Sequence, residues 1–375
     1  MSACADCMAR GLQLSALAGH IDRAVEGRAG ERARDLLALG DEELARAVCP
    51  RDSRAVLRAA RSQRRDEVQD ALERAGCWSV CAHEATFPAE LAALGPSRPR
   101  ALFGAGRRSL LPGLGANRTV TIVGSRRAGA YGREVARELA RLLAGTGIVV
   151  VSGLALGVDS AAHEGALAAG GETVAVLGTG PERSYPRSRR RLYETVRASG
   201  LVLSELPPAT PTFRWMFPAR NRLMAALAGI TVVVEAAERS GSLITAEMAI
   251  DVGRQVGAVP GPVTSWRSSG TNKLLADGAA VIRDAQDVLD ALLGPGVKVA
   301  AEHGPPIEPG ARAVLDAVEA GAATGDAVVA RAGIELGAAL SALGRLERAG
   351  YLQGDVTGRM HRTALRVPRP RGSRR

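Results

Sequence analysis

The sequence predicts an α/β chain. Its centre is a Rossmann-like, doubly wound, mainly parallel sheet, preceded by a helical N-terminal domain and followed by a winged-helix-like module. Three observations predict this. First, five short runs are apolar on both faces: "TVTIV" (Thr119 to Val123), "IVVVS" (Ile148 to Ser152), "TVAVLG" (Thr173 to Gly178), "LVLSE" (Leu201 to Glu205) and "ITVVVEA" (Ile230 to Ala236). Strands covered on two sides need that pattern. Second, helical stretches such as "REVARELARLLAG" and "SAAHEGALAAG" alternate with the runs, so crossovers join them and helices cover both faces. Third, a Gly- and Pro-rich stretch separates this region from three helix-like segments and two short strand-like ones.

A chain of 375 residues exceeds one ordinary core, so two or three domains are expected. From about Leu12 to Gly76, apolar and charged positions alternate at helical spacing with few β-branched residues, which predicts several short helices in an accessory domain over 1–76. The stretch from Trp78 to about Gly106 is irregular; "WSVCAH" reads as a strand, and the turn-rich "LGPSRPRALFGAG" leads into another apolar run. The sheet domain spans 77–295 and a linker 296–308. In 309–366, helices are expected at about Ala311 to Ala320, in "GDAVVARAG" and in "ELGAALSALGRLERAG", with two strands in "YLQGDVTGRMHRTA". That order is a winged helix-turn-helix, a module that binds DNA or protein. The basic tail 367–375 is expected to be disordered.

The chain starts without a basic segment followed by an apolar one, and no long uncharged apolar run occurs. A cytoplasmic protein with no membrane span is therefore expected. Five cysteines are too few and odd in number for a disulfide framework. Cys4 and Cys7 form a C-x-x-C, while Cys77 and Cys81 form a wider pair with His83 close by. A four-ligand zinc site can be assembled from these residues on paper, but the second pair is poorly spaced and no paired-His motif exists, so reduced, non-ligating cysteines and no metal are the expectation, with metal binding at Cys4 and Cys7 left open. The formal charge is +10, and Lys273 and Lys298 are the only lysines. Net positive charge of this size favours polyanionic partners such as nucleic acid.

The chemistry lies in the loops after the strands, which a parallel sheet gathers at one edge. In "VGSRRAGAYG", Gly124 is followed by Ser125 and Arg126. The dinucleotide fingerprint G-x-G-x-x-G is absent, the second strand ends without an acid, and no Walker A sequence occurs, so no nucleotide cofactor is expected. What remains is an anion seat: Gly124 turns the chain, the helix start offers N–H groups, and Arg126 adds a planar fork suited to phosphate. Arg127 reads as a solvated neighbour. In "VSGLALGVDSAAHEGAL", Ser152 and Gly153 leave the second strand. Asp159 reads as a cap and His163 as a brace, because no G-x-S-x-G elbow is present to support hydrolysis. In "LGTGPERSYPRSRRRLY", Tyr185 and Pro186 precede an arginine run that includes Arg187, Arg189 and Arg190. In "FRWMFPARNRLMAALAG", Arg220, Asn221 and Arg222 stand beside aromatic residues. Arginine for phosphate, amide for hydrogen bonding and rings for stacking are ingredients of a single-strand groove, although Phe213 and Phe217 are expected in the core. The hydroxyl-rich turn Ser240, Gly241, Ser242 opens another helix, and Lys273 adds charge nearby.

In this order, "IVGSR…YG", "SGLA.G.D..AH..AL", "VAVLG.G….YP", "SELPP", "FPARNR..A.L", "VVVEA…SGSLITA..A...GR", "AVPG" and "G.N.L...GA" resemble the DNA-processing protein DprA (Smf) family, continuously from about Phe87 to Ile282. The resemblance implies a dimeric, non-enzymatic single-stranded DNA-binding protein that protects incoming strands and helps load the RecA recombinase in natural transformation. It puts Arg126, Arg220, Asn221 and Arg222 in the basic DNA pocket. The chain departs from the usual family pattern at Gly129 (Ser or Thr), Glu182 (Asp) and Arg189 (Asn). A competing reading takes "EAAERSGSLITAE" as the turn and glutamate of a nucleoside-monophosphate phosphoribohydrolase with Glu247 as catalytic carboxylate, although the doubled glycine of that turn is missing. A third reading, a winged-helix transcription factor, is disfavoured because "LGAALSALGRLERAG" has few residues able to read base edges.

Overall fold

The computed structural model describes residues 3–26, 29–62, 65–296, 305–355, 358–363, 365 and 367. It divides into two compact units at residues 298 and 299. Most of the expected linker and of the basic tail lies outside the described residues.

The first unit opens with five helices: α1 (Ala5–Ala24), α2 (Ala29–Ala38), α3 (Asp41–Val48), α4 (Ser53–Ser62) and α5 (Arg65–Arg74). An antiparallel pair follows, β1 (Trp78–Cys81) with β2 (Ala101–Gly106). The alternating region comprises β3 (Thr119–Val123), α6 (Ala130–Gly145), β4 (Val149–Ser152), α7 (Val158–Ala168), β5 (Thr173–Leu177), α8 (Arg190–Ser199), β6 (Leu201–Ser204), α9 (Met216–Leu227), β7 (Ile230–Val233), α10 (Gly241–Asp251), β8 (Gln255–Ala258), α11 (Ser269–Ala276), β9 (Ala280–Val281) and α12 (Ala285–Leu293). One nine-stranded sheet results, in the order β1-β2-β6-β5-β4-β3-β7-β8-β9. From β6 to β9 all neighbours are parallel, and β2 joins β6 antiparallel with Phe103 opposite Ser204.

The five apolar runs are the five central strands. Every residue of β3 to β7 is buried, as two-sided helix cover demands. Polar atoms inside are tied down; the buried Thr121 hydroxyl donates to the Met224 carbonyl at 2.8 Å. Strands β8 and β9 carry no comparable run, since β8 contains Gln255 and Gly257 and both residues of β9 are exposed.

The N-terminal helices do not form a compact unit apart from the sheet. Met8 of α1 shares a buried cluster with Phe103, Ala105 and Val202. Leu14, Leu17 and Ile21 pack with Trp215, Met216 and Ala219 at the start of α9, and the Trp215 indole N–H donates to the Ala18 carbonyl at 2.9 Å. Short amphipathic helices bury too little surface on one another and dock on the larger core.

The cysteines also depart from expectation. Cys77 stands apart, its thiol donating to the Ala75 carbonyl at 3.5 Å. The ligand atoms of Cys4, Cys7, Cys81 and His83 lie within 4.8 Å of one another.

The second unit contains α13 (Pro309–Glu319), α14 (Gly325–Ala332), α15 (Leu336–Arg348) and a hairpin of β10 (Leu352–Gly354) with β11 (Met360–Arg362). Val314, Leu315, Val328, Leu343, Leu346 and Tyr351 fill its core. Thr324 caps α14 by accepting the Ala327 N–H, and left-handed Gly333 ends that helix. Three helices and a hairpin stand where the sequence predicts them. Among the described residues, no single helix is long and apolar enough to cross a membrane.

Candidate nucleic-acid interface

The chain runs from β3 outward through β4, β5 and β6, then returns to place β7 on the other side of β3. The loops after β3 and β7 therefore diverge and leave a crevice beyond the carboxyl ends of the strands, where open α/β sheets bind ligands. A cleft of about 550 Å³ lies there.

Its floor is set by loop-to-loop bonds. The Ser125 N–H donates to the Glu235 carbonyl at 2.6 Å. The buried Glu235 carboxylate accepts the Gly129 N–H through Oε1 at 2.9 Å. Gly129 is the N-cap of α6, so that helix start already faces a negative charge. The anion seat expected at the mouth of α6 is thereby displaced. The helix starts that line the cleft are those of α9 and α10, through Phe217, Pro218, Gly241 and Ser242, beside Gly124, Ser125 and Arg126 of the loop after β3. Ser240 caps α10, its hydroxyl accepting the Ser242 N–H at 3.4 Å, and the Asn221 amide reaches the Gly241 carbonyl at 3.5 Å.

Arg220 occupies the centre. Its side chain is 7 % exposed, and Nη1 donates to the Val176 carbonyl of β5 at 2.6 Å and approaches the Met224 sulfur at 3.3 Å. Nε is buried without a partner. Burial lowers this guanidinium to a pKa of about 10, against the pull of Asp159, so it stays charged at neutral pH. Burial also raises the Asp159 carboxyl, although Arg220 and the Ala155 and Gly153 amides oppose that. The Gly153 N–H donates to Asp159 Oδ2 at 3.1 Å. Gly153 is needed for close approach: a Cβ there would stand 1.8 Å from Arg220 Nη1. Gly124 is needed likewise, since its Cβ would meet Val158 Cγ2 at 2.6 Å and the Glu235 carbonyl at 2.9 Å.

A second cavity of about 170 Å³ shares Arg126, Ala155, Phe217 and Arg220 with the first. Tyr185 and Pro186 of the loop after β5 line it. The Tyr185 and Phe217 rings lie 4.9 Å apart with a 35° tilt, and the exposed Arg126 guanidinium sits 5.7 Å above the Phe217 ring. Trp266, 60 % exposed, lines the larger cleft. The two cavities share four lining residues and form one trough with arginines and aromatic rings along it.

Over residues 78–293 the chain matches the family described as DNA recombination-mediator protein A. It belongs to that family. The DNA processing protein DprA of Streptococcus pneumoniae is 43% identical over 172 residues, covering 45% of this chain and 60% of that protein. That of Bacillus subtilis is 39% identical over 194 residues, covering 52% and 64%. Protein Smf of Escherichia coli is 35% identical over 228 residues, covering 59% and 60%. The chain thus spans less than two thirds of the length of these relatives. The X-ray structure of the S. pneumoniae DprA superposes with a TM-score of 0.59 and 33% identity over 77% of this chain and 98% of that one. DNA processing protein A of Helicobacter pylori, from a structure described as giving insights into its unique single-stranded DNA binding mode, superposes at 0.51 with 31% identity over 57% and 95%.

Of the residues this DprA-type chain offers from sequence, Gly124, Ser125, Arg126, Arg220, Asn221, Ser240 and Gly241 line the larger cleft, and Gly153 the smaller. Arg222 does not join them. It is 1 % exposed and held by both Glu205 oxygens at 2.8 and 2.7 Å, with further bonds to the Ser97 and Ala219 carbonyls. Two positions along a helix face nearly opposite ways, so Arg220 and Arg222 part company. Ser152 is fully buried, its hydroxyl donating to the Ile122 carbonyl at 2.7 Å. Lys273 is exposed and paired with Asp277 at 2.8 Å. Arg187, Arg189 and Arg190 line neither cavity, and Arg190 is paired with Glu194 at 2.7 Å. His163 lies buried with Nδ1 at 2.8 Å from the Thr173 hydroxyl, which itself donates to the Val150 carbonyl. Burial lowers its pKa to about 3, so it is a neutral brace between α7 and the sheet.

At the departures from the usual family pattern, Gly129 serves Glu235 through its N–H, and Glu182 accepts the Ala209 N–H at 3.0 Å. Sequence reasoning missed Phe217 and Trp266 as rings lining the cleft. For Phe217 the signal was present: positions 217, 220 and 224 share one face of α9.

Proposed function

We propose that the first unit binds single-stranded DNA in this trough without chemical turnover. In this reading, Arg126 and Arg220 take backbone phosphates, while Tyr185, Phe217 and Trp266 offer faces to the bases. The observation that carries it is Arg220, a buried guanidinium that lines both cavities and, among the described residues, has one carbonyl and a thioether as its hydrogen-bonding partners and an orphaned Nε. A buried cation so poorly matched gains from a phosphate oxygen brought beside it, because low local dielectric strengthens that contact. Asp159 shares the site, which favours a strand gripped by its spaced phosphates over a compact multiply charged anion. The aromatic faces accept any base, so sequence preference is weak. The relation to the H. pylori protein supports the same ligand.

Beyond the site, the reading extends to a cytoplasmic homodimer that protects the strand and helps load RecA recombinase in DNA uptake and recombination. Pairing two troughs lengthens the phosphate tract and raises avidity. The phosphoribohydrolase reading finds no support in the geometry: Glu247 is exposed on α10 and lines neither cavity.

The test is equilibrium binding of a fluorescent single-stranded oligonucleotide across a salt series, with Arg220→Ala alongside. Wild type is expected to bind with a steep inverse salt dependence, and the variant to lose about 0.7 of a logarithmic slope unit per phosphate contact removed. Release of free base from nucleoside monophosphates, with no oligonucleotide binding, would replace this reading with the hydrolase one.

A further inference from the structure

We propose that Cys4, Cys7, Cys81 and His83 hold one zinc ion, which pins the N-terminal helical layer to the edge of the sheet. The four ligand atoms lie within 4.8 Å of one another. The sulfurs of Cys4, Cys7 and Cys81 stand 3.5, 3.6 and 3.9 Å from His83 Nδ1. Zinc bonds of about 2.3 Å to sulfur and about 2.0 Å to nitrogen, at tetrahedral angles, separate sulfur from nitrogen by about 3.5 Å. The sulfur–nitrogen separations are close to those of a filled site, and the ligand atoms draw together from their 4.8 Å span on binding, sulfurs sharing a tetrahedral zinc standing about 3.8 Å apart.

Three segments build it. Cys4 is the N-cap of α1 and Cys7 lies in its first turn, so the C-x-x-C spacing turns both sulfurs to one side. Cys81 ends β1. His83 follows in a turn fixed by Glu84, whose carboxylate accepts the Cys81 N–H at 3.0 Å and whose own N–H donates to the Cys81 carbonyl at 2.9 Å. The geometry of Cys81 and His83 is therefore set by the turn. Cys7 and Cys81 are buried, Cys4 is half-buried and His83 is exposed, which leaves an ion a way in. All five cysteines are free. Three thiolates and one imidazole in a closed tetrahedral set select zinc among the common divalent cations. Binding releases the three thiol protons to solvent while the imidazole coordinates in its neutral form, leaving the complex with one net negative charge.

The ion would join residues 74 to 79 positions apart, from Cys7 and Cys81 to Cys4 and His83. A clip that closes so long a loop removes conformational freedom from the unfolded chain.

The full chain, expressed with zinc supplied, is analysed for metal beside Cys4→Ser, Cys81→Ser, His83→Ala and Cys77→Ser. Wild type and Cys77→Ser are expected to carry one zinc per chain, and the three ligand variants to lose it. Since Cys81 is buried and its variant is the one at risk of misfolding, the exposed His83→Ala change, with its circular dichroism spectrum matched to wild type, decides the outcome. Cobalt loaded into stripped wild type should show thiolate-to-cobalt charge transfer and intense tetrahedral visible bands, absent from His83→Ala. No zinc in wild type together with no such cobalt spectrum would overturn the proposal. So would zinc retained equally by all four variants, which marks an adventitious ion only.

Discussion

Arg126, Arg220 and Arg222 have the same side chain and three different environments. Arg126 is exposed above an aromatic ring, Arg220 is buried and poorly matched, and Arg222 is buried and fully matched. Their substitutions should separate accordingly. Arg222→Ala strands Glu205 without its partner and should lower stability by about 3–5 kcal/mol, read as a shift in urea midpoint, while the protein that remains folded binds DNA as before. Arg126→Ala should leave stability within about 0.5 kcal/mol. Tyr185→Ala should weaken oligonucleotide binding by about 1–3 kcal/mol with an unchanged salt slope, because a ring carries no counterion-releasing charge. A slope change there would mean that Tyr185 acts by positioning arginine instead.

At the scale of elements, the loops do the positioning and the helices beneath them are braced by neutral groups. His163 in α7 provides a pH test. Its pKa is about 3 in the fold and about 6.5 in the unfolded chain. Above pH 6.5 neither state is protonated and the group has no effect. As pH falls below 6.5 the unfolded state gains a proton the native state refuses, so stability drops by roughly 1.4 kcal/mol per unit until about pH 3. Denaturant midpoints at pH 7.5 and 5 should therefore differ more in wild type than in His163→Asn, with Asp159 present in both. Gly153→Ala drives a methyl into the Arg220 guanidinium and should impair binding with no change of net charge. The strands β3 to β7 were legible because two-sided burial writes an uninterrupted apolar run, whereas β8, with Gln255 and Gly257, writes none. Arg220 was legible from its place at a helix start beside aromatics. The exclusion of Arg222 was not, because it depends on Glu205 and Ser97, distant in sequence and brought together only by folding.

For the whole molecule, the parallel stretch of the sheet from β6 to β9 sends every binding loop to one edge, and the turn back from β6 to β7 opens the crevice there. The separate compactness of the second unit predicts that a chain ending at residue 298 keeps salt-dependent oligonucleotide binding. Loss of that binding with the shortened chain still folded would move the DNA contact to the winged unit. The N-terminal helices, by contrast, share their core with the sheet through Met8, Phe103 and Trp215, so their removal should unfold the first unit. The sequence did not reveal this, because a helix pattern shows that a face must be covered but not what covers it.

The most direct test of the central claim compares two arginines that remove the same charge. Arg126 stands in the trough, and exposed Arg283 is paired with Asp287 at 2.7 Å and lines neither cavity. Single-stranded oligonucleotide affinity measured for Arg126→Ala and Arg283→Ala at one salt concentration should fall for the first and match wild type for the second. Equal losses in both would show that binding follows net charge alone, and would contradict a strand seated in the crevice between the loops after β3 and β7.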